Sequence, residues 1–405
     1  MKSKQNFGIK SIKLNDFRGV DKVEIKDFQK INILVGKNGS GKTTILEAIY
    51  LALKPYAESI ITLYKTRGFT ENTFLQEISD SKSGEKNHNK TQKLIQTPKW
   101  NDILSLIKVG SSKNSLIEIS SNFNFALERK VLLKPYPFSQ SKLKQNDESF
   151  DFLAKSKNEN ESNFFYIATQ DKAKNIKTSI VSGIKKSEVL PNSADNSEIQ
   201  FFDKEASNHK KSLIDYPIFK IFYYTSVISN SYFHLKGPNG HFELVKNSDY
   251  FENIIHLIRS VDDRIENFSF DSEGEIRCKL KNQKTEIGFA ALGDGVKKIF
   301  SILCSISFCQ NGVLILDEIE NGIHHSVQKI FWDFIISAVD KFNVQLFVAT
   351  HSYEMIEAFE KVSEEKSFDS ISIYRISKDE IGANISHFNN KELDSFLDEK
   401  LEIRG

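Results

Sequence analysis

A glycine-rich segment near the N-terminus has the residue types and spacing that could bind phosphate. In Gly36-Lys-Asn-Gly-Ser-Gly-Lys-Thr-Thr44 the last glycine stands directly before Lys42 and Thr43. Glycine permits the backbone angles that turn successive N–H groups inward around an anion. We expect Lys42 to reach the β- and γ-phosphates of a nucleotide, and the Thr43 hydroxyl to bind magnesium. The alternative is a glycine turn that binds nothing. The predicted nucleotide-binding residues here are Gly36, Asn38, Gly39, Ser40, Gly41, Lys42, Thr43 and Thr44.

An acidic pair, Asp317-Glu318, follows the fully apolar run Val313–Leu316. Such a run is typical of a strand that is buried on both faces. Asp317 is predicted to hold magnesium, and Glu318 to orient an attacking water and accept its proton. A solvated acidic pair at a strand end would be the simpler interpretation alone, but the glycine loop favours the catalytic one.

A histidine and a second glycine motif complete the set. His351 follows another apolar run, Val344–Ala349, and can hydrogen-bond a γ-phosphate or the attacking water. Gly293-Asp294-Gly295 precedes an apolar helix whose dipole would favour a phosphate. The alternative for His351 is a purely structural histidine, and the alternative for Gly293-Asp294-Gly295 is a tight turn.

The elements around these motifs alternate between strand and helix. Ile31–Val35 reads as a strand before the glycine loop, and apolar residues repeat at helical spacing after it. A helix over 296–309 and one with apolar residues over 327–338 flank the acidic pair. This alternation predicts an α/β fold with a mostly parallel central sheet. Residues 9–25 read as antiparallel β structure before it.

The middle of the chain differs in composition. Residues 65–216 are rich in Lys, Asn, Ser and Gln, and we interpret them as an inserted mixed α/β lobe with flexible loops. A helix is predicted over 100–109, a hairpin over 116–127, and exposed loops over 139–160 and 191–211. The insert is interpreted as solvated, with contact to nucleic acid as the alternative.

Composition excludes several classes of protein. Lys and Arg number 55 against 54 for Asp and Glu, which excludes a polybasic nucleic-acid coat but leaves room for a local basic groove. Three cysteines are too few for a disulfide scaffold. The apolar runs fall short of the roughly 20 residues that span a bilayer. We therefore expect a cytoplasmic protein that has no membrane partner.

Taken together, these motifs resemble the ABC-type ATPase heads of the SMC, RecF and OLD families. They resemble still more the AAA-type ATP-binding proteins of bacterial phage defence, such as the OLD-like ATPases and those of the PARIS, Septu and retron systems. The likeness covers about 1–64 and 217–405, the predicted ATPase head. The residues that carry it are Asn15–Gly19, Gly36–Thr44, Leu292–Gly295, Leu316–His325 and Ala349–Ser352.

The resemblance implies a mechanism. Such heads form a homodimer or a higher homo-oligomer, with ATP and Mg²⁺ between the glycine loop of one subunit and the Gly293–Gly295 element of the other. It also implies that Arg18 lies near the nucleotide, with a surface salt bridge as the alternative. Ala291 and Leu292 stand where the family carries a serine. The family's magnesium-sensing glutamine stays open among Gln76, Gln92 and Gln96.

The leading hypothesis is a magnesium-dependent ATPase that gates an effector protein, a nuclease or a toxin, in phage defence. The runner-up is a RecF- or SMC-like protein that binds DNA. A self-contained nuclease toxin would need a site in the insert, where His88 and His209 are the only histidines. About 50 residues follow His351, too few for the Toprim domain of OLD nucleases. The pair His324-His325 is interpreted as a helix start or dimer contact rather than a metal site.

Overall fold

The structure of this chain is a computed structural model that describes part of the sequence. The described residues are 8–18, 20–55, 57–67, 71–79, 90–98, 117–123, 127–135, 164–173, 176–188, 197–205, 220–225, 233–237, 240–378, 383–389 and 392. The predicted helix over 100–109 and loop over 139–160 lie outside them, as do Gly19, His88 and His209.

The strands alternate with helices only in part of the chain. They are β1 (Ile9–Phe17), β2 (Val20–Ile25), β3 (Ile31–Val35), β4 (Glu71–Ser79), β5 (Lys90–Pro98), β6 (Ile117–Phe123), β7 (Leu127–Pro135), β8 (Phe164–Ala173), β9 (Ile176–Glu188), β10 (Ser197–Glu205), β11 (Ile221–Tyr224), β12 (Ile265–Phe270), β13 (Ile276–Leu280), β14 (Ile287–Gly288), β15 (Val313–Leu316), β16 (Gln345–Thr350), β17 (Ile371–Lys378) and β18 (Ala383–Asn389). The α-helices are α1 (Lys42–Leu53), α2 (Ala57–Thr66), α3 (Asp249–Val261), α4 (Asp294–Phe308), α5 (His325–Lys341) and α6 (Tyr353–Glu365).

A six-stranded sheet forms the centre of the fold, in the order β11-β15-β16-β3-β17-β18. Neighbouring strands from β11 to β17 are parallel, and β18 alone pairs antiparallel, with β17. The predicted α/β fold with a mostly parallel sheet is confirmed. Because the carboxyl ends of parallel strands meet at one edge, the segments after β3, β15 and β16 lie together there.

The two faces of this sheet bury different clusters. Residues alternate along each strand, so Ile33 and Leu316 face one cluster while Leu34 and Ile315 face the other. The first cluster contains the buried residues of α3, α4, α5 and α6. The second contains those of α1, α2 and the first two strands. The centre of the sheet is thus covered on both faces, which is why β3, β15 and β16 are fully buried and mostly apolar.

A second, antiparallel sheet runs through the N-terminal strands and the insert. Its order is β10-β9-β8-β7-β6-β1-β2. The hairpin predicted over 116–127 is confirmed in part: β6 and β7 pair antiparallel, but β6 continues to Phe123 and β7 begins only at Leu127 and ends at Pro135. The predicted exposed loop over 191–211 is wrong in part, because Ser197–Glu205 pairs along its length with β9.

The division into a head and an inserted lobe stays a prediction, and the seven-stranded sheet crosses its boundary. Between 67 and 205 the described residues are almost all in strands, so the helical part of the predicted mixed insert lies outside them. In the later chain, α4 begins at Asp294, two residues before the predicted helix. No helix within the described ranges combines the length and the apolar character needed to cross a membrane.

Candidate nucleotide site

A cavity of about 310 Å³ lies at the edge of the parallel sheet where the motif-bearing segments meet. The predicted loop residues from Asn38 to Thr44 line it, together with Arg18, Asp317, Glu318 and His351. The structure therefore brings the first three predicted motifs into one place, across a sequence separation of more than 300 residues.

Gly36, the first residue of the glycine loop, packs against β17 and is not among the described residues that line the cavity. A Cβ on Gly36 would lie 2.2 Å from the main-chain oxygen of Ile376 in β17, a distance that no side chain tolerates. At the other end, Gly41 has φ 107° and is the N-cap of α1. The left-handed backbone there turns the first amides of the helix toward the cavity.

Lys42 is the buried cation of the loop. Its ammonium donates hydrogen bonds to the main-chain oxygens of Gly36 at 2.6 Å and Lys37 at 2.9 Å. Burial lowers the pKa of Lys42, and the carboxylates of Asp317, Glu320 and Glu318 oppose that effect. The Ser40 hydroxyl is buried and has no hydrogen-bond partner among the described residues. A phosphate oxygen would satisfy this hydroxyl, so the loop fits the nucleotide that its sequence predicts.

Asp317 and Thr43 meet at the floor of the cavity. The side chains are hydrogen bonded, and the Tyr223 hydroxyl lies 3.5 Å from Asp317 Oδ2. Burial raises the pKa of Asp317 to about 6, with Glu318 and Glu47 adding to the rise. A hydroxyl beside a carboxylate suits Mg²⁺, which takes few protein ligands and completes its shell with phosphate and water. Among the described residues, no three or more His, Cys, Asp or Glu side chains are grouped so that they could hold a metal ion.

Glu318 is held in an unusual backbone conformation. Its φ is 52°, a value that few non-glycine residues adopt. The ammonium of Lys298 donates to the main-chain oxygen of Glu318 at 2.6 Å, and Asn321 Nδ2 donates to its Oε2 at 2.7 Å. Burial lowers the pKa of Lys298 to about 8. The main chain of the predicted catalytic carboxylate is therefore tied to α4.

His351 lines the cavity and contacts a residue that the sequence analysis missed. Glu320 Oε1 lies 2.5 Å from His351 Nδ1 and accepts a hydrogen bond from the His351 main-chain N–H at 2.9 Å. Glu320 lines the cavity as well. Its position two residues after Glu318, at the end of the same strand, was the available signal.

Arg18 lines the cavity, and its guanidinium also forms an ion pair. Its predicted place near the nucleotide stays a prediction. Its guanidinium is 2.5 Å from Glu47 Oε2, and Arg67 Nε is 2.6 Å from Glu47 Oε1. Glu47 is 1% exposed, so this is not a surface salt bridge. The sequence analysis missed Glu47 and Arg67. A lone acid inside the apolar stretch of α1 was the signal for the first.

The Gly293–Gly295 element begins α4 as predicted, with Gly293 as the N-cap. None of these three residues is among the described residues that line the cavity. Gly295 packs against the segment after Glu318, because a Cβ there would lie 2.5 Å from the Gly322 oxygen. Asp294 forms an ion pair with Lys297 at 2.8 Å. Lys297 and Lys298, next along α4, both contact oxygens of the protein itself, on Asp294 and Glu318 respectively.

Two further predictions concern histidine and glutamine. His324 is the N-cap of α5, where its ring accepts a hydrogen bond from the Ser326 main-chain N–H. The predicted helix start is thereby confirmed. Gln76 lies in β4, and Gln92 and Gln96 lie in β5, so the choice among them stays open.

Comparisons with known proteins agree with this geometry. Residues 31–357 match the family described as "AAA domain, putative AbiEii toxin, Type IV TA system". An "ATP/GTP phosphatase" of Helicobacter pylori is 23% identical over 369 residues, 89% of this chain and 90% of that protein.

Shorter segments match DNA-repair proteins. A Rad50 ATPase of Methanopyrus kandleri is 51% identical over 47 residues, 12% of this chain and 5% of that protein. A RecF protein of Idiomarina loihiensis is 40% identical over 76 residues, 19% of this chain and 18% of its own length. A solved SMC head bound to the C-terminal winged-helix domain of ScpA has a TM-score of 0.45 at 11% identity, covering 96% of this chain and 99% of that one. We draw nothing about function from a structural likeness of this size.

Proposed function

The chain belongs to this AAA-domain family, and we propose that it is a magnesium-dependent ATPase whose ATP-driven dimerisation gates a partner effector in phage defence. The observation that carries the proposal is the meeting of Thr43 and Asp317 beneath the glycine loop. A phosphate-binding loop with an adjacent oxygen pair for Mg²⁺ is what hydrolysis of a nucleoside triphosphate requires.

The roles of the residues follow from their positions. Loop amides and Lys42 bind the β- and γ-phosphates, and Thr43 with Asp317 would hold Mg²⁺. That ion, when bound, neutralises charge that develops on the phosphates. Glu318 orients a water and accepts its proton. Basic side chains that line the cavity, Arg18 and Arg67, match the anionic nucleotide.

The position of the Gly293–Gly295 element relative to the cavity supports the dimer in this proposal. The Gly293–Gly295 element begins a helix, yet it does not line the cavity described for its own chain. A second copy can supply this helix start to the γ-phosphate, so that ATP joins two heads and hydrolysis releases them. The effector, a nuclease or toxin, would respond to that cycle. The family description, which names a toxin system, supports this part of the proposal.

The test is the oligomeric state and the turnover of the purified chain. With Mg²⁺ and ATP, Glu318→Gln should accumulate as a dimer in light scattering, because binding continues while hydrolysis stops. Lys42→Ala should stay monomeric under the same conditions. A Glu318→Gln protein that binds ATP and remains a monomer would refute the dimer. Absence of any ATP hydrolysis by the parent would refute the ATPase itself.

A second candidate is a RecF- or SMC-like ATPase that binds DNA directly. The segments that match Rad50 and RecF favour it. Binding to duplex DNA that requires ATP and weakens steeply with salt would support this function over effector gating. Co-purification of the neighbouring gene product, in the presence of ATP and in its absence, tests the effector.

A further inference from the structure

The Glu320 carboxylate contacts His351 at two atoms, the main-chain nitrogen and a ring nitrogen. One carboxylate oxygen, Oε1, accepts from the main-chain N–H at 2.9 Å and lies 2.5 Å from ring atom Nδ1. A ring fixed relative to its own backbone has little freedom left about its side-chain bonds. The contact therefore sets the orientation of the imidazole as well as its position.

The two residues in this contact both follow strands of the central sheet. Glu320 follows β15 and His351 follows β16, which are adjacent and parallel. The main-chain N–H of Ile319 donates to the Ala349 oxygen at 3.2 Å, tying the two strand ends together. The side chain of Glu320 is 9% exposed and that of His351 is 41% exposed, so the anchor is buried and the ring is open to the cavity.

The second carboxylate oxygen of Glu320, Oε2, is buried and has no hydrogen-bond partner within the part of the chain that the structure describes. The charge of this carboxylate also acts on Lys298 and Lys42, whose pKa values it raises against burial. A carboxylate oxygen is a hydrogen-bond acceptor, and Oε1 already accepts from the His351 main-chain N–H. A second hydrogen bond to the same oxygen, from the ring, places a proton on Nδ1.

We propose that Glu320 is a positioning residue that holds the neutral His351 ring in the Nδ1–H tautomer, leaving Nε2 as an acceptor for the attacking water. An unprotonated Nε2 cannot donate to a γ-phosphate oxygen, so the tautomer decides between the two contacts that were open for His351. The catalytic consequence rests on the proposed ATPase function. The tautomer does not, and it can be measured without nucleotide.

The first experiment reads the tautomer. The protein is labelled with ¹⁵N-histidine, and the His351 signals are identified by their loss in His351→Ala. At pH 8 the parent should show a protonated Nδ1 and an unprotonated Nε2. Glu320→Ala should shift the ring toward the Nε2–H form, and Glu320→Gln, which keeps an acceptor without charge, should give a mixture. An Nε2–H or doubly protonated ring in the parent would overturn the proposal.

The second experiment measures ATP turnover. Glu320→Ala should lower kcat by about 10- to 100-fold with little change in KM, and Glu320→Gln by less, as for other partners that orient a histidine. In a His351→Ala background the same change should have almost no further effect, because the residue acts through the ring. Additive losses would overturn the positioning role.

Controls separate the possible failures. Glu357→Gln, on an exposed helical carboxylate that pairs with Lys361, should leave both the tautomer and kcat unchanged. Thermal unfolding of each variant detects loss of fold, and Glu320→Gln keeps the test open if the alanine variant does not fold. If the parent has the Nδ1–H tautomer but no ATPase activity, the proposed function fails while the contact stands.

Discussion

Helices α1 and α4 each have a glycine as N-cap, Gly41 and Gly293, but the backbone at the two starts differs. Gly41 has φ 107°, in the left-handed region, whereas Gly293 has φ −63° and ψ 147°, which any residue can adopt. The first start lies at a cavity that residues of its own chain line. At the second, Gly295 serves close packing against Gly322. A glycine before a helix thus indicates a phosphate site only where the backbone has a positive φ that other residues rarely adopt.

The charged side chains at the N-terminal ends of α1 and α4 differ as well. Lys42 points its ammonium into the loop carbonyls of α1, while the first turn of α4 carries the Asp294 carboxylate paired with Lys297. An anion already at the N-terminus of a helix reduces that end's attraction for a second one. We therefore expect the α1 start to be the primary nucleotide site, and the α4 start to contribute only through the second head of the proposed dimer.

The largest expected effect is loss of nucleotide binding at α1. Lys42→Ala removes the buried cation and should weaken ATP binding about 100-fold or more, since hydrogen bonds to charged groups each contribute about 1.5–3 kcal/mol. Lys297→Ala, the matched change at α4, should leave the ATP affinity of the isolated chain nearly unchanged. Calorimetric titration measures both. Equal losses from the two variants would remove the distinction between the two helix starts.

Next in size is the effect on turnover at the acidic pair. Glu318→Gln should slow steady-state ATP hydrolysis by a factor of roughly 100 to 10,000, because the proton acceptor is lost. ATP affinity should be retained, since Gln keeps the size of the side chain. A phosphate-release assay and a binding titration on the same preparation check this. Hydrolysis at the parental rate would show that Glu318 is not the base.

A smaller effect is expected from the packing of α4. Gly295→Ala places a Cβ 2.5 Å from a main-chain oxygen and should cost about 1–3 kcal/mol of unfolding free energy, as overpacking does. Gly293→Ala, where a Cβ meets nothing within 4 Å, should cost well under that. Denaturant unfolding compares them. Indistinguishable midpoints would mean that the Gly295 contact relaxes freely.

The last expected effect is the pH dependence of stability that Asp317 causes. Its pKa is about 6 in the folded protein and near 3.8 when unfolded, so the folded state binds the proton more tightly. Its contribution to stability is present below about pH 4 and is lost as pH rises through about 6, by at most about 3 kcal/mol. The difference in unfolding free energy between the parent and Asp317→Asn, in Mg²⁺-free buffer, isolates this slope. A difference independent of pH would contradict the raised pKa.

The sequence predicted the parts of this site whose signal is local. The glycine loop and the acidic pair follow short apolar runs, which hydrophobic burial alone makes into central strands. By contrast, the polar composition of 191–211 predicts a loop. Pairing with β9 nevertheless makes part of this range, β10, a strand.

Contacts between distant residues had no such signal. Glu47 meets Arg18 across 29 positions, and Glu320 meets His351 across 31. Neither separation corresponds to the spacing of residues on one face of a helix or strand, so no sequence pattern indicates these contacts. The fold was therefore predictable from apolar patterning, whereas the ion pairs that orient the side chains of the site required the folded arrangement.

The position of β3 has a consequence for the order in which the polypeptide is made. This strand leads into the glycine loop, yet it pairs with β16 on one side and β17 on the other, strands that leave the ribosome more than 300 residues later. Without them its buried amides have no partners, and the oxygen of Ile376 that packs against Gly36 has not been synthesised. We therefore expect the glycine loop of a nascent chain to stay unfolded until β16 and β17 have left the ribosome, more than 300 residues after the loop itself.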